Sequence, residues 1–154
     1  TDADPHLLAL WAADCAEHVV ELFERQQPED PRPREAIAAA RSWAAGNMAM
    51  MAARAAGGHA MGAARPLHGA ARFAAYAAGQ AACVGHVAEH YLGAAAYAIK
   101  AVVADAPPGG GEETRLAECS WQRQRLPDAV RDLVLDDMTR RNDICWSVFD
   151  VDGA

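Results

Sequence analysis

The chain has 154 residues, of which 52% are hydrophobic, and carries a formal net charge of -7 at pH 7. This length is sufficient for one hydrophobic core, so we expect a single domain over residues 1–154. The acidic balance argues against nucleic acid as a partner and against adhesion to anionic membranes.

The charge is distributed unevenly along the chain. Residues 1–46 carry nine acidic and four basic side chains, residues 47–106 carry two and four, and residues 107–154 carry ten and six. The middle segment nevertheless holds four of the six histidines. Two acidic ends therefore flank a histidine-rich middle.

The four cysteines lie far apart and form no C-x-x-C pair. Reduced thiols fit this spacing better than a disulfide framework does. The sequence also shows no signal-peptide pattern and no apolar run of membrane-spanning length. We therefore expect a cytoplasmic protein that does not insert into a membrane.

Helix signals begin near the amino end. About a quarter of all residues are Ala, the strongest helix former. Asp4 and Pro5 predict the cap and first turn of a helix that runs to about Gln27. A second helix is bounded by Pro33 and Gly46.

The central segment predicts three further helices. Asn47 can cap a third helix that extends to Arg65, although a Gly pair weakens it. Pro66 opens a fourth, and a fifth runs from about Ala81 to Ala104. These central helices are rich in Ala and Gly, so their backbones can approach closely.

A Pro/Gly loop at residues 107–111 separates the central helices from the carboxyl-terminal ones. Two acidic helices follow, at about residues 112–125 and 127–141, and then a short terminal segment. The predicted fold is an all-α, Ala-rich compact bundle of about six to eight helices without a sheet.

The segment GHVAEHYLGAAAYAIKA, residues 85–101, contains the pattern H-x-x-E-H. On a helical wheel His86, His90, Tyr97 and Lys100 share one polar stripe, and Glu89 lies at its edge. The opposite side is apolar. The polar stripe is therefore not needed for packing, and it faces solvent or a cleft.

The preceding helix carries a second polar stripe, formed by His68, Arg72 and Tyr76. If the two helices pack as an antiparallel pair, both stripes line one cleft. The predicted cleft residues are His68, Arg72, Tyr76, His86, Glu89, His90, Tyr97 and Lys100. This set could bind an anion, a carboxylate or an acidic partner loop, or a metal through neutral imidazoles.

The histidines are compatible with two hypotheses, a metal site and an enzymatic role. His86 and His90 could share a transition metal with His59 or His68 as third ligand, as in DinB-like helical bundles. Lys100 and Arg72 nearby disfavour a dication, and a strandless chain lacks the substrate-binding sheet of zinc peptidases. We therefore expect no metal or other cofactor.

If the chain is an enzyme, its catalytic candidates are His86, His90 and Tyr97. A histidine would then act as general acid or base, because its pKa lies near neutral pH. Residues 109–111 form a Gly run without a following Lys-Ser/Thr, and the serines lack a G-x-S-x-G elbow.

Three motifs together resemble one protein family. They are D-x-R-P-R-x-A-I at residues 30–37, G-Q-A-x-x-x-x-H-V-x-x-H at residues 79–90, and Trp121-Gln122 before Leu126-Pro127. The chain is similar over most of its length to the immunity proteins of bacterial polymorphic toxin systems, the fifth-numbered immunity family and its relatives. The resemblance implies an α-helical protein that binds and blocks a cognate toxin, and it brings no catalytic residues with it.

The leading hypothesis is therefore a non-enzymatic immunity-like protein that acts by protein–protein binding through its acidic ends. The alternatives are a small-molecule-binding protein or enzyme that uses the predicted cleft, and a metal-dependent bundle. Met-rich and Ala-rich faces also make a homodimer possible.

Overall fold

Eight α-helices and one 3₁₀ turn form the regular structure of residues 4–152, the part of the chain described by this computed structural model. The α-helices are α1 (Pro5–Val19), α2 (Glu21–Glu24), α3 (Arg32–Ala44), α4 (Met50–Ala64), α5 (Gly69–Ala82), α6 (His90–Asp105), α7 (Gly111–Gln124) and α8 (Asp128–Arg141). The 3₁₀ turn spans Asp143–Cys145. Residues 4–152 contain no strand, which confirms the predicted all-α fold.

The predicted start of the first helix is confirmed. The Asp4 carboxylate accepts a hydrogen bond of 2.8 Å from the backbone nitrogen of His6, and Pro5 occupies the first helical position. The predicted cap at Asn47 is wrong, since α4 begins at Met50. The first helix also ends at Val19, and α2 follows as a separate turn.

One hydrophobic cluster draws buried side chains from all eight helices. Trp11 and Phe23 are among its largest members, whereas α5 and α6 contribute mainly alanines. Small side chains allow helix axes to come close together. None of the described helices is long and apolar enough to cross a lipid bilayer.

The helix predicted from Ala81 to Ala104 is wrong at its amino end. Residues 83–89 form turns, and α6 begins only at His90. Gly85 lies so close to Trp43 that a Cβ atom there would be 2.6 Å from the indole ring. The chain thus leaves the helical path between Ala82 and His90, and His86 does not share a helix with His90.

Candidate functional site

The single predicted cleft is not formed. His68, Arg72, Tyr76, Tyr97 and Lys100 line one cavity of about 370 Å³ between α5 and α6. The remaining predicted residues lie elsewhere: His86 and His90 line a different cavity, and Glu89 is exposed just before α6. The turn at residues 83–89 causes the separation, because it moves His86 off the α6 stripe.

The first cavity, which we call the α5–α6 pocket, is both basic and aromatic. The Lys100 ammonium lies 3.9 Å from the ring centre of Trp146 and 4.6 Å from that of Phe73. Partial burial lowers the pKa of Lys100. For Tyr97, by contrast, burial raises the pKa, and the neighbouring Tyr76 raises it by a smaller amount.

Trp146 belongs to this pocket, although sequence reasoning did not include it. Its ring centre is 5.0 Å from that of Tyr97, and the residue is 48% exposed. Trp146 and Ser147 have φ angles of 58° and 55°, the left-handed region that side chains other than Gly rarely adopt. The backbone nitrogen of Ser147 donates to the carbonyl of Asn142 at 2.8 Å and helps to hold this turn.

His86 and His90 line the second cavity, of about 530 Å³, which lies against α4 and has mostly apolar walls. Nδ1 of His90 lies 2.6 Å from Oε1 of Gln80. Burial lowers the pKa of His90, and the neighbouring His86 lowers it further. The neutral ring that donates from Nδ1 keeps a lone pair on Nε2.

The metal arrangement is not found in residues 4–152. No group of three or more His, Cys, Asp or Glu side chains there is placed to hold a metal ion. His59 lies exposed on α4, and His68 lines the other cavity. His86 and His90 therefore have neither of the predicted third ligands.

The three catalytic candidates also do not share one cavity. His86 and His90 face the α4 cavity, whereas Tyr97 lines the α5–α6 pocket. The His90 ring is hydrogen-bonded to Gln80, whose amide does not titrate near neutral pH and is therefore not an acid–base partner. The geometry thus does not assemble His86, His90 and Tyr97 as one acid–base group.

A third surface, the α1–α7 face, lies where the two acidic ends of the chain meet. It is a cavity of about 430 Å³ lined by Asp14, Glu17, His18, Trp121 and Arg125. The rings of His18 and Trp121 are parallel within 2° and 3.5 Å apart, and the Arg125 guanidinium carbon lies 3.9 Å from the Trp121 ring centre. These side chains form a stacked aromatic and cationic group beside two carboxylates.

A buried carboxylate fixes the position of His18 in that group. Nδ1 of His18 is 2.9 Å from Oε2 of Glu118, a side chain only 5% exposed. The two residues are 100 positions apart in the sequence. No local pattern could have paired them, and sequence reasoning did not single out either one.

Arginines cross-link the carboxylates of the amino-terminal helices. Arg41 bonds Asp14 at 2.9 Å and Glu17 at 2.7 Å, and Arg34 bonds Glu24 at 2.7 Å. Hydrogen bonds from these arginines hold the pKa of Glu17 and of Glu24 below the usual range. The acidic surface is therefore held in a defined geometry by its own arginines.

By fold and surface, the chain is a small all-α protein whose candidate sites are surface clefts between helices. It belongs to the family described as "Imm-5 like putative immunity protein", whose model matches residues 1–129. This match confirms the resemblance seen in the sequence. No curated protein and no solved structure shows significant similarity to the chain.

Proposed function

We propose that the protein neutralises a cognate bacterial toxin by binding it in the cytoplasm, without catalysis. The observation that carries this proposal is the family match over residues 1–129. The net charge of -7 supports a toxin with a basic surface as the partner. Complementary charge accelerates encounter and fixes orientation more than it adds affinity.

The α1–α7 face is the binding surface in this proposal. It combines Trp121 and Arg125, which belong to residue types enriched in binding hot spots, with the carboxylates of Asp14 and Glu17. The stack of His18 on Trp121 and the bond to Glu118 reduce side-chain freedom before binding. Preorganised groups lose less entropy when a partner docks.

The α1–α7 face also lies within the part of the chain that matches the family. α1 ends at Val19 and α7 at Gln124, so both helices lie within the matched residues 1–129. A surface built from this part of the chain is suited to a role that family members share. The acidic ends, which the sequence predicted as the interaction surface, both contribute residues to this face.

Co-expression with the toxin encoded by a neighbouring gene tests the proposal. The wild-type protein restores growth and binds the purified toxin. Trp121→Ala weakens binding by roughly 30-fold or more, as expected for a hot-spot aromatic. Trp146→Ala is the matched control, because it removes an exposed indole outside the α1–α7 face and should leave toxin binding within about twofold.

A pair of charge variants tests the surface without removing a ring. Asp14→Asn/Glu17→Gln lowers the association rate and flattens its dependence on salt. Asp128→Asn/Asp132→Asn removes the same charge from exposed positions on α8 and serves as control. Equal effects of the two double variants would show that net charge alone matters, and the α1–α7 face would be rejected as the interface.

A further inference from the structure

The α5–α6 pocket contains two cations that the protein does not neutralise itself. Each of the four arginines in residues 1–46 has a carboxylate partner. Within residues 4–152, neither Arg72 nor Lys100 has a carboxylate oxygen at ion-pair distance. Arg54, Arg65, Arg125 and Arg141 also lack such a partner within residues 4–152, whereas Arg72 and Lys100 line one cavity together.

Most of the donors on these two side chains remain available. Arg72 donates to the carbonyl of Leu67 at 3.5 Å and to the hydroxyl of Tyr76 at 3.4 Å, and both distances are long for such bonds. A guanidinium has five N–H donors. The Tyr76 hydroxyl, which accepts from Arg72, can still donate its own hydrogen into the pocket.

The aromatic side chains keep the Lys100 ammonium in position. Its contacts with the Trp146 and Phe73 rings are cation–π interactions, which stabilise the charged form in a partly buried place. Trp146 contacts Lys100 from a turn in which residues 146 and 147 adopt left-handed backbone conformations. Such strained positions cluster at functional sites, where the surrounding structure maintains them.

An apolar cavity of about 310 Å³ adjoins the pocket. Phe73, Lys100 and Trp146 line both spaces, and Val103 and Val148 add apolar surface to the second one. A ligand that places a charged group at Arg72 and Lys100 could therefore extend an apolar group past Trp146. Each space has a volume at the lower end of the range typical of small-molecule sites.

We propose that the α5–α6 pocket binds a small organic anion, with its phosphate or carboxylate group at Arg72 and Lys100 and its apolar group against Trp146. The site is separate from the α1–α7 face and does not depend on toxin binding. Trp146 also lies outside the residues 1–129 matched by the family. Arg72 and Lys100 lie within the matched residues, so the pocket combines both parts of the chain.

Titration of the full chain with three probes tests the site: inorganic phosphate, phenyl phosphate and benzoate. Chemical shifts of the indole N–H groups report binding, because Trp146 lines the pocket. Phenyl phosphate should bind about tenfold more tightly than inorganic phosphate, since burying a ring adds apolar contact. A comparison of phenyl phosphate with benzoate shows whether phosphate or carboxylate is preferred.

Variants assign the binding to the named side chains. Arg72→Gln/Lys100→Gln should weaken phenyl phosphate binding by about tenfold to hundredfold, the effect of losing charge-assisted hydrogen bonds. Trp146→Ala should remove the advantage of phenyl phosphate over inorganic phosphate. The control is Arg65→Gln, which removes an exposed cation outside the pocket that has no ion pair within residues 4–152. This variant should change the affinity for phenyl phosphate by less than about twofold.

Two results would overturn the proposal. One is that none of the three probes produces a saturable chemical-shift change at about 10 mM, a concentration that detects even weak binding. The other is a loss of affinity in Arg65→Gln as large as that in Arg72→Gln/Lys100→Gln, which would mean nonspecific attraction to positive charge. Thermal unfolding of each variant confirms that the protein remains folded.

Discussion

The closest approach of α4 and α5 gives the sharpest prediction about stability. A Cβ atom on Gly57 would lie 2.7 Å from the carbonyl oxygen of Gly79 and 2.8 Å from Sγ of Cys83. The first of these is a backbone atom, so α4 or α5 must move to accommodate a methyl group. The adjacent Gly58 has no atom within 4 Å of such a Cβ, which makes Gly58→Ala a matched control.

The magnitudes follow from two opposing effects. Replacing Gly by Ala inside a helix stabilises by about 0.5–1 kcal/mol, and this gain applies at both positions. Overpacking a well-packed contact costs about 1–3 kcal/mol, and this cost applies only to Gly57→Ala. The two variants should therefore differ in their free energies of unfolding by roughly 1–3 kcal/mol.

Urea unfolding followed by circular dichroism measures both free energies. Gly58→Ala should raise the midpoint and Gly57→Ala should lower it or leave it unchanged. In thermal unfolding, each 1 kcal/mol corresponds to about 2–4 °C for a chain of this size. If Gly57→Ala stabilised the protein as much as Gly58→Ala, the close packing of α4 on α5 would be refuted.

Two further predictions concern hydrogen bonds. Tyr91→Phe removes a buried hydrogen bond of 2.5 Å to the Asp137 carboxylate and should lower the free energy of unfolding in urea by about 1.5–3 kcal/mol. The control Tyr76→Phe loses only a hydrogen bond of 3.4 Å and should lower it by less than about 0.5 kcal/mol. Equal losses would contradict a special role for the Tyr91 bond. Because Arg41 lowers the pKa of Glu17, this pair contributes stability at neutral pH that is lost as pH falls through about 4.3 and below. Arg41→Gln should therefore flatten the loss of stability between about pH 5 and pH 3, and an unchanged slope would contradict the assignment.

Part of the family motif at residues 79–90 has a structural explanation. Gly79 allows α5 to approach α4, since a Cβ there would be 2.9 Å from the carbonyl oxygen of Gly57. Gln80 holds His90, and Gly93 leaves room for the Gln80 side chain, whose Oε1 would otherwise be 2.6 Å from a Cβ. Gly79 and Gln80 of this motif thus serve helix packing and the placement of His90.

The α1–α7 face shows why charge counting alone was incomplete. The sequence identifies two acidic ends, but it cannot show that α1 and α7 meet. The bond between His18 and Glu118 and the stack of Trp121 on His18 depend on that meeting. Ion pairing by Arg41 then fixes two of the carboxylates at this surface.

The sequence by itself determined the helical class, the first helix cap and the family, because these depend on local propensity, on Asp4 followed by Pro5, and on short motifs. It also identified Arg72, Tyr76, Tyr97 and Lys100 as neighbours, since helical periodicity places them on facing stripes. Only the tertiary structure separated His86 from them, because residues 83–89 form turns rather than a helix, with Gly85 packed against Trp43. It also brought Trp146 to Lys100 and His18 to Glu118, since contacts between distant segments are decided by how the helices pack rather than by any local pattern.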